Sequence, residues 1–202
     1  PGALDDLDTP FLAVDLSVMD RNIERLAGRL RGTGIQLRPH AKSHKCIEIA
    51  QRQIDGGAIG LTVATIGEAE VFAEAGFTDL FIAYPLWLTP HKAERLRTVA
   101  STAELRVAVD SAAGARQLAE HLGDLPLTVV VEIDSGHHRT GVAPDEAGAV
   151  AAAARAAGLS VVGVFTFPGH GYTPGQRAEV AAQESRALDA AAKSLRAQGI
   201  EP

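Results

Sequence analysis

The chain contains one cysteine, Cys46. A disulfide framework and a zinc site built from several cysteines are both excluded, and the lone thiol fits a reducing compartment. Long apolar runs are missing too. No stretch of about 18 apolar residues passes without a charge or a breaker, which excludes a transmembrane helix and a membrane partner. Positive charge is scarce: 19 Lys and Arg face 25 Asp and Glu, a net charge of −6 with His neutral. A phosphate backbone needs a basic face, so nucleic acid is not an expected partner. Residues 1–8 are acidic and lack the apolar stretch of a secretory leader, so the expected location is cytoplasmic. Disorder is excluded by 46% hydrophobic and 22% charged residues in a chain of 202, enough to bury the core of one domain over residues 1–202. The first residue is Pro1 rather than Met, and the chain reads as a piece of a longer one.

What the sequence does have is a rhythm. Strand-like runs fall at Phe11–Asp15, Ile35–Pro39, Gly60–Val63, Leu80–Tyr84, Leu105–Asp110, Leu127–Asp134 and Val161–Phe167. Helical stretches lie between them, near Ser17–Leu30, His44–Ile54, Ile66–Ala75, Pro90–Ala100, Ala112–Leu122, Pro144–Ala157 and Gly175–Gln198. This alternation predicts βα units and a parallel sheet. Ser17 is the expected cap of the first helix, with Asp20 as its partner. Gly56-Gly57, Gly76, Gly158 and Gly199 are expected C-caps. Leu127–Ile133 is apolar enough for a strand buried on both faces. Two architectures fit: a (β/α)8 TIM-type barrel and a doubly wound open sheet. A dinucleotide-binding sheet wants Gly-x-Gly-x-x-Gly after its first strand, whereas Leu16-Ser17-Val18-Met19-Asp20 follows here. A barrel keeps its chemistry at the C-terminal strand ends. The unusual polar residues sit there, which favours the barrel.

Three such ends stand out. The second strand closes in Arg38-Pro39-His40-Ala41-Lys42-Ser43-His44-Lys45. In extended backbone Arg38, His40, Lys42 and His44 would point one way. That crowding makes an anion pocket, for a phosphate for example, and pushes a buried lysine toward its neutral, nucleophilic form; alternatively, the segment is a solvated basic turn. A metal held by His40 and His44 is disfavoured because the pair flanks a strand end. The sixth strand leads into Glu132-Ile133-Asp134-Ser135-Gly136-His137-His138-Arg139-Thr140-Gly141-Val142. There Arg139 suits an anionic oxygen, or merely pairs with Asp134. The seventh ends in Thr166-Phe167-Pro168-Gly169-His170-Gly171-Tyr172, where His170 is a candidate proton carrier. Tyr84-Pro85 and Thr62–Thr65 are expected along the same mouth. Trp87 is expected in the core or at an interface.

These motifs, with the opening Asp8-Thr9-Pro10 and Val14-Asp15-Leu16, occur in an order that resembles the D-threonine aldolase and D-serine dehydratase group. Those are fold-type III pyridoxal-phosphate enzymes, relatives of alanine racemase. The resemblance covers nearly the whole chain, and Arg-Pro-His-x-Lys-x-His-Lys is its most specific part. It implies an alanine-racemase-like barrel and pyridoxal 5'-phosphate as cofactor. Lys42 matches the lysine that holds the cofactor as a Schiff base, and Arg139 the arginine near its phenolic oxygen. His170 and Tyr172 match the loop beside the ring, with His40 and Thr166 also expected at the cofactor. Members are longer. They continue into a phosphate-binding loop and a β-domain whose His and Cys or Asp bind a divalent metal, zinc or manganese. This chain stops at Gly199-Ile200-Glu201-Pro202, so the barrel is expected to be incomplete. The metal and a homodimer are expected only in the full-length protein.

The expected activity is that of a lyase on a D-β-hydroxy amino acid, with Lys42 and His170 as its catalytic residues. Two related alternatives are an amino acid racemase and a pyridoxal-phosphate carrier without turnover. A remote one is a metal-dependent barrel hydrolase using His40, His44, His137 or His138, and His170.

Overall fold

The structure is a computed structural model and describes residues 7–125 and 127–202. Five parallel strands form one sheet in sequential order: β1 (Leu61–Val63), β2 (Asp79–Ile82), β3 (Glu104–Val109), β4 (Thr128–Ile133) and β5 (Ser160–Thr166). Helices α1 (Leu16–Leu30) and α2 (Ile47–Asp55) precede β1. Helices α3 (Ile66–Glu74), α4 (Pro90–Ala100), α5 (Ala112–Leu122), α6 (Ala147–Ala156) and α7 (Arg177–Ala197) each follow a strand.

One face of the sheet carries Leu61, Val63, Leu80, Ile82, Val107, Val129, Val131 and Ile133, all buried. They pack with Phe72, Leu96, Leu118, Leu122 and Leu195 of the helices in one core. The alternate positions show that the sheet is curled. Phe81 of β2 and Phe165 of β5 meet edge to face with ring centroids 4.9 Å apart. Three strand spacings in a flat sheet would hold them about 14 Å apart. Only an arc of the barrel type brings them together, and the described strands form that arc without closing it.

The strand-to-helix turns are fixed by side-chain caps. Thr65, Thr89 and Ser111 each accept a hydrogen bond from the backbone N–H three residues on. Each such cap contributes about 1 kcal/mol. The glycines Gly57, Gly76, Gly158 and Gly199 follow α2, α3, α6 and α7 with positive φ, as expected of C-caps.

Three local expectations fail and a fourth fails in part. Phe11–Asp15 is not a strand: it pairs with nothing among the described residues, and its Leu12 is 99% exposed. A strand without a neighbour loses the ladder that would hold it. Ile35–Pro39 is extended but pairs only at its end, through a His40–Thr62 bridge and the bonds Ile59 N–H to Leu37 O and Thr62 N–H to Pro39 O. Pro39 has no N–H to give. The first helix is capped by Asp15, whose carboxylate accepts from Val18 N–H at 3.0 Å, and Ser17 lies inside it. Of the two places expected for Trp87, core and interface, its exposure excludes the core.

Candidate active site

The basic motif resolves into residues with different jobs. Arg38 turns to the N-terminal ends of the strands, where its guanidinium makes two bonds to the Asp79 carboxylate at 2.6 and 2.7 Å. Arg106 pairs with the same carboxylate. Lys45 reaches back to Glu68 at 3.1 Å. The crowded cationic pocket expected from spacing is therefore reduced: Arg38 is neutralised by a carboxylate distant in sequence, and His44 accepts from Cys46 N–H at 3.1 Å within its own turn. His40 and Lys42 remain. A short 3-10 turn, Ala41–Ser43, follows His40, whose ring nitrogen accepts weakly from Lys42 N–H at 3.4 Å. Burial and then the charge of Lys42 push the His40 imidazole below its ordinary value. Lys42 itself is exposed, so the burial that the sequence argument invoked for it is not supplied by the described residues.

The ends of β4 and β5 meet this turn at one aromatic ring. The Lys42 ammonium nitrogen lies 4.9 Å from the centroid of Phe167. The Arg139 guanidinium lies 4.8 Å from the same centroid and 5.6 Å from that of Tyr84. His137 meets Phe167 edge-on at 5.5 Å and stacks on His170 at 6.3 Å. Tyr172 tilts against Phe167 at 6.2 Å but is 80% exposed. Cations over an aromatic face are attracted by its quadrupole, by about 0.5–1 kcal/mol each at exposed positions. Residues from the turn after His40 and from the ends of β4 and β5, spread over more than a hundred positions in sequence, thus converge on one side chain.

The loop after β4 is held by Asp134. Its carboxylate accepts from Gly136 N–H at 2.8 Å, His138 N–H at 3.0 Å and the His138 ring at 2.7 Å. Burial alone would raise this carboxyl, but those bonds outweigh it and hold it below its ordinary value. The alternative reading, an Arg139–Asp134 pair, is not found among the described residues: Asp134 is used by its own loop, and Arg139 approaches Glu132 at 3.9 Å. Glu132 is only 2% exposed. Its Oε1 accepts from the Thr140 hydroxyl at 2.7 Å, and its Oε2 has no partner among the described residues. Burial pushes its carboxyl up, against the opposing hydrogen bond of Thr140.

Thr166, expected at the cofactor, spends its hydroxyl elsewhere. It donates to Ile133 O at 2.7 Å and shares a bond with Ser135 Oγ at 2.9 Å, which ties β5 to β4. Thr62 likewise donates to Arg38 O. Phe167, Glu132 and Gln183, which bonds His170, were not singled out from sequence. A carboxylate inside the apolar run Leu127–Ile133 was the available signal for Glu132, since charges are rarely buried without a purpose.

An amine, a guanidinium over a ring and, at His170, an imidazole whose buried Nδ1 has no partner among the described residues fit a planar anionic cofactor that carries an aldehyde. They do not fit a divalent metal. No three His, Cys, Asp or Glu side chains gather at ligand geometry among the described residues, and His138 is engaged with Asp134, so the hydrolase reading has no ligand set here. A cavity of about 830 Å³ lies at the opposite end of the sheet, around Asp79, Arg106 and Thr128. In a barrel that end serves stability rather than chemistry.

A curled parallel sheet with its polar groups gathered at the C-terminal strand ends defines a βα-barrel domain with a mouth site. The chain belongs to the alanine racemase N-terminal domain family, whose model matches residues 14–202. It is 49% identical over 140 residues to an uncharacterized protein of Mycobacterium tuberculosis, covering 68% of this chain and 82% of that one. It is 37% identical to the D-threo-3-hydroxyaspartate dehydratase of Delftia sp. strain HT23, over 96% of this chain and 53% of that protein. The solved D-threonine aldolase of Filomicrobium marinum matches with a TM-score of 0.86 at 35% identity, over 97% of this chain and 54% of that one. The chain spans about half the length of these named enzymes.

Proposed function

We propose that this chain is the cofactor-binding part of a pyridoxal-phosphate-dependent lyase acting on a D-β-hydroxy amino acid. The observation that carries the reading is the meeting of the Lys42 amine and the Arg139 guanidinium over Phe167, at the mouth of this family's fold. The substrate class is supported by two relatives whose names specify D-amino acids bearing a β-hydroxyl. When bound, pyridoxal phosphate supplies the electron sink that permits cleavage of a bond at the amino acid's α-carbon.

Each residue then has a stated task. Lys42 would hold the cofactor through Nζ. Arg139, over Phe167 and near Tyr84, would donate to an anionic oxygen, which its planar fork can meet with two parallel hydrogen bonds. Glu132 lies behind Arg139, with its ionisation disfavoured by burial and the Thr140 hydroxyl bonded to it. His170 takes or returns a proton through its ring. His40 and Tyr172 shape the two sides of the mouth.

The test uses the full-length protein loaded with pyridoxal phosphate and offered D-threonine, D-serine and D-threo-3-hydroxyaspartate. An aldolase releases glycine and an aldehyde from D-threonine; a dehydratase releases a keto acid and ammonia. The proposal expects one of these outcomes, abolished in Lys42→Ala. Conversion to the L-enantiomer alone would make the protein a racemase. Cofactor binding without any turnover would make it a carrier. Turnover that survives Lys42→Ala would remove the lysine from the site.

A further inference from the structure

We infer that Gln183 is a positioning residue that fixes the tautomer of His170, leaving Nδ1 as the ring atom able to accept a proton. The inference rests on the proposal that His170 is the proton-moving group. The chain of bonds starts on α7. Glu179 has a carboxylate, which can only accept, and Arg186 donates to it at 3.3 Å. The side-chain N–H of Gln183 donates to the same oxygen, Glu179 Oε1, at 3.1 Å. That requirement orients the Gln183 amide, because its other end must then present the carbonyl oxygen. The carbonyl oxygen, Gln183 Oε1, lies 3.0 Å from His170 Nε2. A carbonyl cannot donate, so Nε2 must carry the hydrogen. In the neutral ring Nδ1 is left with its lone pair.

The surroundings of Nδ1 agree. It is buried and has no hydrogen-bond partner among the described residues, although a buried polar atom ordinarily has one. The ring of His137 lies beside that of His170, nearly parallel at an interplanar angle of 12° and a centroid distance of 6.3 Å. On another side Gly136 packs so closely that a Cβ there would stand 3.2 Å from Nε2. A histidine fixed by one nitrogen, with the other oriented and unsatisfied, is prepared for a proton on a bound molecule. Residues on a helix outside the mouth motifs thereby decide which atom of His170 does the work.

The experiment is a two-bond proton–nitrogen spectrum of the full-length protein with nitrogen-labelled histidine, assigned with His170→Asn. The expected result is a neutral His170 ring protonated at Nε2, with that proton slow to exchange. In Gln183→Leu the proton should exchange about tenfold faster, the worth of one hydrogen bond. In Gln183→Glu, whose carboxylate accepts the same proton, the slow exchange should persist. This variant also serves if the leucine variant fails to fold. A ring protonated at Nδ1 in the unsubstituted protein, or exchange unchanged in Gln183→Leu and lost in Gln183→Glu, would overturn the inference. Failure of His170 as the proton carrier is a separate result: His170→Asn would keep its turnover while the spectrum still reported the tautomer.

Discussion

Replacing Gly141 by alanine should damage the site far more than the same change at Gly158. Gly141 follows Arg139-Thr140 and has φ +99°. A Cβ built there would stand 2.6 Å from Ile133 C and 2.7 Å from Asp134 N. Both neighbours are backbone of β4 and its first loop residue, and neither can rotate away. Relief requires moving the returning segment, which is bound to β4 by Asp134 N–H to Val142 O at 2.8 Å and Val142 N–H to Glu132 O at 3.1 Å. Gly158 is the control. Its φ is +90°, but a Cβ there meets nothing within 4 Å. Gly158→Ala therefore carries only left-handed strain, about 1–2 kcal/mol. Gly141→Ala carries a similar strain plus overpacking of about 1–3 kcal/mol. Urea unfolding of both variants measures the difference directly, and titration with pyridoxal phosphate shows whether the Arg139 loop has moved. Gly141→Ala should be the less stable by about 1–3 kcal/mol and should bind cofactor more weakly. Gly158→Ala should bind as the unsubstituted protein does. Equal stabilities would refute the close approach of loop and strand on which the position of Arg139 depends.

Phe167→Leu keeps an apolar side chain but removes the ring under Lys42 and Arg139; cofactor affinity should fall about tenfold through the lost cation contacts, as read by fluorescence titration. Glu132 has its folded-state value raised by burial, so the folded form holds its proton where the unfolded form does not, and stability falls as pH rises through that window above the ordinary carboxyl value. Glu132→Gln should abolish this fall, and urea midpoints at about pH 5 and about pH 7 check it. His40 behaves in the opposite sense: its value is lowered in the fold, so its contribution is present above the ordinary histidine value and is lost as pH falls below it. His40→Asn should flatten the loss of stability between about pH 7 and about pH 5.

Periodicity exposed the repeating architecture because each βα unit buries its own apolar face. Leu80–Tyr84, Leu105–Asp110, Leu127–Asp134 and Val161–Phe167 each overlap a strand, and Pro90–Ala100 and Ala112–Leu122 are helices with those bounds. Phe11–Asp15 has the right residue types, yet strand formation is a property of pairs, and composition says nothing about a missing neighbour. The loops at the strand ends were legible as places where Gly, His and Arg are poor packing residues. Partner choice within them was not. Arg38 finds Asp79 and Lys45 finds Glu68, 41 and 23 positions away, and no local pattern encodes such a distance. Phe167 was hidden for a similar reason: an aromatic residue at the end of a strand resembles core until the fold brings Lys42 and Arg139 to its face. Gln183 lies on the last helix, far from every motif, and only the packing of α7 against the His170 turn reveals it.

Borohydride reduction of the full-length protein with its pyridoxal phosphate bound, followed by peptide mass spectrometry, tests the role of Lys42 most directly. The account predicts a pyridoxyl group on the peptide containing Lys42. A label on Lys45, Lys92 or Lys193 instead, or no label on this chain, would contradict it.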